Sequence, residues 1–289
     1  MNYKKTEIKN GVNLHIINTN KFKTNLLAIF ITVPLTKENV TKNALIPMIL
    51  RSGSMNLKSQ EQISIELEEM YGSSFDCGID KTGDSHVLRF YLETINDNFL
   101  PNKEKLLEKS INDIIEIVFN PLIENEKFNE EYVIREKENL KQIIDGKIDN
   151  KAVYALDRCI EEMYKDKPYG LYRFGYIEDL EKINSQNLYE YYKELISECK
   201  IDIFISGEMP EEIEKTVIEN NIINNLQDRD TEFLKENSKS NENEERQIEE
   251  NMEITQGKLV IGLDIDTQKR EEKYIALVYN AILRRNSKF

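Results

Sequence analysis

The chain has 289 residues, of which 39% are hydrophobic, and its 53 acidic residues outnumber its 39 basic ones to give a net charge of −14. This apolar content suffices for a well-buried core and for more than one domain, whereas the acidic surface repels phosphate backbones and argues against a nucleic-acid partner. No apolar run is long enough to span a bilayer, so no membrane segment is expected. The N-terminal segment 1–7 lacks the apolar stretch of a signal peptide, which favours a cytoplasmic location.

Two strands are predicted near the N-terminus. Residues 11–19 alternate weakly between apolar and polar side chains after the Asn10–Gly11 turn, and residues 26–33 form an apolar, β-branched run. Both patterns are typical of strands, the second of a buried one. Further along, residues 74–79 and 86–92 predict a hairpin whose loop places a glycine at a left-handed position.

Most of the remaining chain up to residue 227 predicts helices. Apolar residues recur there at helical spacing, and Ser59 and Ser185 are the expected N-caps of two of these helices. The predicted helices are 59–71, 103–119, 129–144, 151–164, 185–196 and one that Pro210 opens. A further strand is predicted at 201–207. Strands before and after a block of helices predict an α+β fold in which helices cover one face of an antiparallel sheet.

The composition changes at residues 228–250. This nearly all-polar stretch cannot bury enough apolar area to order itself and is predicted to be an exposed linker. After it, 257–265 predicts a strand and 273–283 a helix, which together are too little to form a domain alone. The predicted organisation is therefore a first half over 1–227, the linker, and the start of a second half over 251–289.

Side chains suited to catalysis or metal binding are sparse. Cys77, Cys159 and Cys199 are far apart in sequence, which favours free thiols in a reducing compartment. His15 and His86 are the two histidines, and each lies in an apparent strand without a second ligand at helical spacing. The sequence contains no EF-hand loop, glycine-rich phosphate loop or GxSxG motif, and no cofactor is predicted.

The segment 44–54, ALIPMILRSGS, predicts a short helix. Thr41 or Asn43 is the expected N-cap, and Pro47 then lies near the first turn, where a missing N–H is tolerated. Gly53 is expected to end the helix in a left-handed conformation. From base rates for apolar runs, the simplest interpretation is a helix buried in a core.

The same segment resembles the active-site helix of the insulinase and pitrilysin family of zinc metallopeptidases. That helix has the approximate sequence HFLEHMLFKGT, in which two histidines one turn apart bind zinc and the glutamate between them activates water. Alignment on Ser52–Gly53–Ser54 puts Ala44 and Met48 at the histidine positions and Pro47 at the glutamate position. Alanine has no donor atom, proline cannot act as a base, and a thioether suits copper(I) better than zinc.

Further segments resemble the same family in the same order. The sequence REKENLKQII at 135–144 resembles the REKEVVLEEI helix that supplies the third zinc ligand, and Gln142 and Ile143 stand at its acidic positions. The family motifs ELLFGDHPLG, the strand and helix that close the first half, and NAILGGG correspond to 162–170, 201–213 and 280–283. The resemblance covers most of the chain and is greatest to a bacterial branch without a zinc motif that is associated with elongation factor P 5-aminopentanol modification.

The resemblance implies a catalytically inactive homologue that acts as a structural or peptide-substrate-holding subunit, without metal, with an active paralogue or a second copy as partner. Two alternatives stay open. One is a zinc-dependent metalloendopeptidase with an unconventional site, for which the candidate ligands are His15, His86, Glu136 and Glu138, although a solvated helix face is the simpler interpretation of the two glutamates. The other is a peptide-binding scaffold that accepts another chain at an exposed sheet edge.

Overall fold

The computed structural model describes residues 2–102, 104–229, 245–253, 255–263, 265 and 269–285. The strands are β1 (Asn2–Lys9), β2 (Val12–Asn18), β3 (Thr24–Pro34), β4 (Ser74–Thr82), β5 (Ser85–Ile95), β6 (Ile123–Glu124), β7 (Lys127–Phe128) and β8 (Lys200–Gly207). The α-helices are α1 (Val40–Ser52), α2 (Gln60–Glu69), α3 (Leu106–Phe119), α4 (Glu130–Asp145), α5 (Lys151–Met163), α6 (Ile177–Leu180), α7 (Ser185–Glu198), α8 (Ile213–Ile218), α9 (Asn221–Asn224) and α10 (Arg270–Arg285). Each of these helices is too short or too polar to cross a membrane.

The main sheet has six strands in the order β1-β2-β8-β3-β5-β4. Its neighbouring strands run antiparallel except β2 and β8, which are parallel. The predicted α+β class is confirmed, and the expectation of an antiparallel sheet is corrected at this one pair. The reason is that the chain returns beside β2 only after the block of helices, and a parallel pair requires such a long crossover.

The alternation of side chains along the strands gives the sheet two different faces. On β3, Leu27, Ile29 and Ile31 are buried, whereas Leu26 is 40% exposed and Phe30 is half-buried. Helices α1 and α3 pack on the buried side, against β3, β4 and β5. The core therefore lies between one face of the sheet and these helices, as the period-two pattern of a half-buried strand indicates.

The edge strand β1 has no counterpart among the predicted elements. It is mostly exposed and contains several lysines, so it lacks the apolar alternation that predicts a strand. Its antiparallel ladder with β2 holds it instead, and at its outer side Thr6 Oγ1 donates to Glu214 Oε1 (2.6 Å) while Lys4 forms an ion pair with the same carboxylate. Lysines on an edge strand also discourage pairing with other chains.

Two predicted helix caps have different outcomes. The Ser59 hydroxyl accepts from Gln62 N (3.2 Å) at the start of α2, as predicted. The N-cap of α7 is Asn184 and not Ser185, because the Asn184 side chain accepts from the Asn187 N–H in a reciprocal capping box. Both side chains satisfy N–H groups that have no partner within the helix.

The C-terminal part of the chain differs from its sequence pattern. The described residues among 257–265 form no strand, although the predicted helix is present and longer, as α10. A strand needs a neighbour for its ladder, and no described strand pairs with this segment. Residues 230–244 of the predicted linker lie outside the described residues, so the proposed domain boundaries stay a prediction.

Candidate functional site

Helix α1, which carries the motif-like segment, begins earlier than predicted. Asn39 occupies its N-cap position and binds the preceding turn, accepting from Thr36 N (2.9 Å) and donating to Pro34 O (2.8 Å). Pro47 therefore lies in the helix interior and not near the first turn. An interior proline removes one main-chain hydrogen bond and costs about 3 kcal/mol, which burial of most of the helix offsets.

Thr41 and Asn43, the predicted N-caps, hold neighbouring segments instead. Thr41 Oγ1 accepts from Tyr176 N (3.1 Å) and donates to Asp179 Oδ2 (3.2 Å). Asn43 Oδ1 accepts from the hydroxyl of Tyr191, whose pKa is raised by burial. These contacts fix the N-terminal half of α1 against α6 and α7, so they fix the position of the motif residues that follow.

The residues predicted to stand at the zinc-ligand and base positions make apolar contacts. Ala44 is 4% exposed, Pro47 is buried, and Met48 is half-buried against the core. On α4, which packs against α1, Gln142 and Ile143 are both exposed. Among these residues, the Met48 thioether is the only soft metal donor. Zinc sites in proteins use imidazole, thiolate or carboxylate ligands, so this set does not match a zinc site. Across the described residues, no group of three or more His, Cys, Asp or Glu side chains is placed to hold a metal.

A hydrogen-bonded cluster joins α1 to α4 one turn beyond Met48. Ser52 Oγ donates to Glu136 Oε1 (3.1 Å) and accepts from Arg135 Nη2 (2.8 Å). The Glu136 carboxylate also accepts from Arg135 Nε (2.8 Å) and Asn139 Nδ2 (2.9 Å). A buried charge is tolerated when it is paired and hydrogen-bonded in this way. The cluster links two helices that zinc would join in the resembled peptidases.

Glu136 contradicts the prediction of a solvated helix face, because it is 7% exposed, whereas Glu138 is exposed as predicted. The sequence does contain a signal for this burial. Glu136 lies three residues after Val133 and four before Leu140, and both of these apolar residues are buried. The three share the inward face of α4, a spacing that the charged composition of the helix conceals.

The candidate ligands of an unconventional metal site lie apart. His15 lies on the open face of the sheet, as part of β2, whereas His86 lies on the helix-covered face, as part of β5. Glu136 is engaged between α1 and α4, and Glu138 faces solvent. The structure therefore does not bring these four side chains together.

Both ring nitrogens of His15 are engaged in structural contacts. Its Nε2 lies 3.0 Å from Asp202 Oδ1 and its Nδ1 lies 2.8 Å from the Tyr3 hydroxyl, while the ring stacks on Phe204 at 4.1 Å between centroids. Burial alone would raise the pKa of Asp202, but hydrogen bonds from Lys200 and His15 outweigh it and lower that pKa. These contacts connect β1, β2 and β8 and leave no ring nitrogen for a metal.

His86 is packed in the core as a neutral ring. It is completely buried, and desolvation together with the nearby Lys81 ammonium lowers its pKa to about 4. Among the described residues, neither ring nitrogen has a hydrogen-bond partner of ordinary geometry. Lys81 is held by the carbonyls of Tyr169 (2.7 Å) and Leu171 (2.8 Å), which close the loop above it.

The three cysteines are free thiols, and each is half-buried. Burial raises the pKa of Cys77 to about 12 and that of Cys199 to about 11. Cys77 Sγ donates to Pro47 O (3.3 Å), so it joins β4 to the helix with the motif positions. A thiol whose pKa is raised in this way stays protonated at neutral pH and is a poor nucleophile, so the role of Cys77 is structural.

The strand beside α1 is an edge of the sheet. Among the described strands, β4 pairs with β5 alone, and it also packs against α1. On the open face of the sheet, Arg89 on β5 forms ion pairs with Asp76 (2.9 Å) and Asp80 (3.0 Å) of β4. An edge strand presents a row of main-chain N–H and C=O groups to which another chain can pair.

Comparisons with known proteins find a curated relative that aligns with most of the chain. No protein-family model matches the sequence. The chain is 33% identical over 273 residues to the probable inactive metalloprotease YmfF of Bacillus subtilis (strain 168), with 94% of this chain and 64% of the relative covered. This likeness agrees with the resemblance to the insulinase and pitrilysin peptidases, because the relative is described as a metalloprotease. The chain spans less than two thirds of that relative's length.

Two solved structures share its fold. A conserved protein from Enterococcus faecalis V583 is 29% identical to this chain with a TM-score of 0.72, and 79% of this chain and 53% of that chain are covered. A peptidase M16 inactive domain from Pseudomonas fluorescens is 14% identical with a TM-score of 0.59, and 78% of this chain and 51% of that chain are covered. Each match therefore corresponds to about half of a longer chain.

Proposed function

We propose that this chain is a non-catalytic subunit that holds an extended peptide and does not cleave it. The observation that carries the proposal is that Ala44, Pro47 and Met48, which the resemblance places at the zinc and base positions, supply neither imidazole nor carboxylate in a helix that is largely buried. A peptidase that keeps this helix without donor atoms retains the shape of the site and loses its chemistry. The Bacillus relative is described as a probable inactive metalloprotease, which supports this interpretation.

The free edge of β4 is the place where we expect the peptide to bind. It lies next to α1, to which the Cys77–Pro47 contact joins it. An extended peptide that adds a strand there gains main-chain hydrogen bonds, while its alternate side chains face the helix layer and the open face of the sheet. Peptide binding at this edge would explain why a non-catalytic homologue keeps the arrangement of α1 and β4.

The organisation of the longer protein is part of the proposal. We infer a first half over 1–227, a linker over 228–250 and a second half that starts at 251, because the matched structures are about twice as long as the matched region. The proposed partner is an intact paralogue or a second copy, and free cysteines suit a reducing, cytoplasmic compartment. The link to elongation factor P modification stays a prediction.

Metal content and peptide hydrolysis test the absence of catalysis. The purified 289-residue chain, dialysed against zinc and then against buffer, is analysed by inductively coupled plasma mass spectrometry and incubated with a fluorogenic peptide library. We expect much less than one zinc per chain and no turnover above a blank. Stoichiometric zinc together with turnover that a chelator abolishes would show an active enzyme.

Restoring the ligands tests the alignment itself. The variant Ala44→His/Pro47→Glu/Met48→His/Ile143→Glu should gain one tightly bound zinc, because two imidazoles one turn apart and a carboxylate from α4 recreate the donor set. The same three α1 substitutions with Gln142→Glu are the matched variant, since both residues stand at acidic positions of the resembled motif. If neither folded variant binds zinc, these are not the corresponding positions.

Peptide capture at the β4 edge has its own test. Fluorescence anisotropy with a labelled extended peptide should show saturable binding, and the same peptide with N-methyl groups on alternate residues should not bind, because it cannot form the ladder. Equal binding of both peptides would exclude strand addition and leave the scaffold role without a site at β4.

A further inference from the structure

The two faces of the edge strand β4 differ in charge, and the open face is the acidic one. Asp76 and Asp80 lie there with side chains that are 65% and 52% exposed, and Arg89 on β5 pairs with both. Arg89 reaches both carboxylates because it lies over Gly78, where a Cβ atom would come within 3.3 Å of Arg89 Nη2. Two carboxylates thus share one guanidinium, so this face keeps a negative charge at the rim of the sheet.

The helix-covered side of the same edge carries a cation, Arg51. This residue is exposed in the last turn of α1. Within the described part of the chain, its guanidinium has no hydrogen-bond or ion-pair partner. Arg51 follows Pro47 by four residues and Met48 by three, so all three lie on one side of α1. The helix dipole favours a cation at this end, but that interaction leaves the guanidinium donors available to an anion.

Arg51 lies close to β4 because α1 is joined to that strand one turn earlier. Cys77, on the helix-covered face of β4, donates to Pro47 O (3.3 Å). Burial is the main cause of the raised pKa of the Cys77 thiol, and of the charges that act on this thiol the Arg51 guanidinium has the largest effect and opposes the rise. Arg135 of α4 is already paired with Glu136 (2.8 Å). A side chain that arrives beside Cys77 on this face therefore meets the positive charge of Arg51.

We propose that the β4 edge selects peptides in which acidic and basic residues alternate, with the carboxylates towards Arg51 and the cations towards Asp76 and Asp80. This inference rests on the peptide-holding role in the proposed function and names the class of peptide that is held. Successive side chains of an added strand point to opposite faces, so one peptide satisfies both charges at once. Arginine also binds a carboxylate through two parallel hydrogen bonds, which adds orientation to the charge.

Peptides of a single charge fit this edge poorly. A uniformly acidic peptide places half of its carboxylates against Asp76 and Asp80, and it approaches a chain whose net charge is −14. A uniformly basic peptide places half of its cations against Arg51. Like charges that meet across an interface lower affinity and reject the wrong partner. The alternating pattern is the one that brings opposite charges together on both faces.

Two labelled peptides of equal composition are the probes. Both contain the same numbers of glutamate, lysine and threonine residues, but in one the glutamates and lysines alternate, and in the other all glutamates precede all lysines. Length, composition and net charge are identical, so the acidity of the chain favours neither peptide. Fluorescence anisotropy with the 289-residue chain at low salt should show roughly fivefold tighter binding of the alternating peptide. This preference should shrink at high salt.

Variants on the two faces locate the preference. Arg51→Gln should remove most of it, and Asp76→Asn/Asp80→Asn should do the same from the other face. Lys5→Gln is the matched control, because it removes an exposed cation from β1, at the opposite edge of the sheet, and it should leave the preference intact. A preference that is lost in Lys5→Gln alone would place the peptide at β1 and overturn the inference.

The remaining outcomes separate this inference from the proposed function. Equal binding of the two peptides to the unaltered chain, or a preference that survives in Arg51→Gln, would overturn charge selection. Strand addition would stand in that case if the peptide with N-methyl groups still fails to bind. If neither charged peptide binds, capture at β4 and charge selection are both wrong.

Discussion

Helices α3 and α5 carry similar apolar spacing and end in opposite environments. On α3, Leu107, Ile111 and Ile115 are each 1% exposed and face the sheet, whereas Val153 and Leu156 on α5 are about half exposed. Both patterns predict an amphipathic helix, and both helices form. The difference shows that periodicity defines which side of a helix is apolar, while tertiary structure decides whether anything covers it.

The largest effect should come from truncating the same residue type on each helix. Leu107→Ala leaves a cavity under α3 and should lower the free energy of unfolding by about 3 kcal/mol. Leu156→Ala removes no buried contact and should change it by less than about 0.5 kcal/mol. Urea unfolding followed by circular dichroism measures both. Equal losses would mean that α5 is covered in solution and would remove the contrast between the helices.

The same contrast explains which elements the sequence could predict. Strand β3 and helices α3 and α4 were predicted because their apolar residues coincide with the buried face of the fold. Strand β1 had no such signal. Its side chains Lys4 and Thr6 contact Glu214, which is about 200 positions away in sequence, and a local pattern does not show such contacts. Segment 257–265 had the signal of a strand but no described strand beside it, so the pattern predicted an element that does not form here.

For the candidate site, the resemblance predicted the positions, and tertiary contacts decided their surroundings. Ala44, Pro47 and Met48 lie on a buried helix, as the alignment implied. The interior position of Pro47 was not predictable from local signals, because Thr41 and Asn43 bind other segments and do not cap α1. Local capping preferences thus yielded to contacts with residues more than a hundred positions away in sequence.

Acidic conditions should lower the free energy of unfolding through His86, which lies in the core beneath the loop that holds Lys81 with the carbonyls of Tyr169 and Leu171. Its pKa in the folded chain is about 4, below the ordinary value of 6.5. Above pH 6.5 neither state binds the proton. As the pH falls from 6.5 towards 4, only the unfolded chain becomes protonated, and stability is lost by up to about 3 kcal/mol.

The variant His86→Leu should lose this part of the pH dependence, because it has no titrating ring. Urea unfolding at pH 7 and pH 4.5 measures the difference for both proteins. The stability of the wild-type chain should fall more steeply than that of the variant. Parallel curves would indicate that the ring is solvated in solution and that the loop over Lys81 is open.

A smaller effect of opposite sign is expected on α3 at Asp113. Burial, followed by repulsion from Glu66, raises the pKa of Asp113 to about 6 from 3.8, and its Oδ2 has no hydrogen-bond partner in the described residues. Below pH 3.8 the carboxyl is protonated in both states. Above pH 6 it is ionised in both, so the folded chain bears the full desolvation penalty there.

The variant Asp113→Asn should therefore be more stable at pH 7 by about 1 to 2 kcal/mol, a range discounted for the partial exposure of the group. At pH 4 the gain should be nearly absent. The exposed Asp149→Asn is the control and should change the free energy of unfolding by less than about 0.5 kcal/mol. A gain of equal size at both pH values would assign the effect to packing and not to charge.

The smallest effect concerns the contact between α5 and the C-terminal segment 245–263. Glu250→Gln weakens the hydrogen bonds to Arg158 and Tyr154, which should change global stability by less than about 1 kcal/mol because the pair is partly exposed. Locally, the segment should leave α5 more often, so limited proteolysis within 245–263 should accelerate by roughly threefold at low salt. The difference should shrink at high salt, since screening weakens the pair in the wild-type chain as well.

Glu249→Gln is the matched control, because this neighbouring carboxylate binds Gln247 and not α5. If both variants are cleaved at the wild-type rate, Arg158 does not hold the segment, and the close approach of Gly262 to Met163 alone places it on α5.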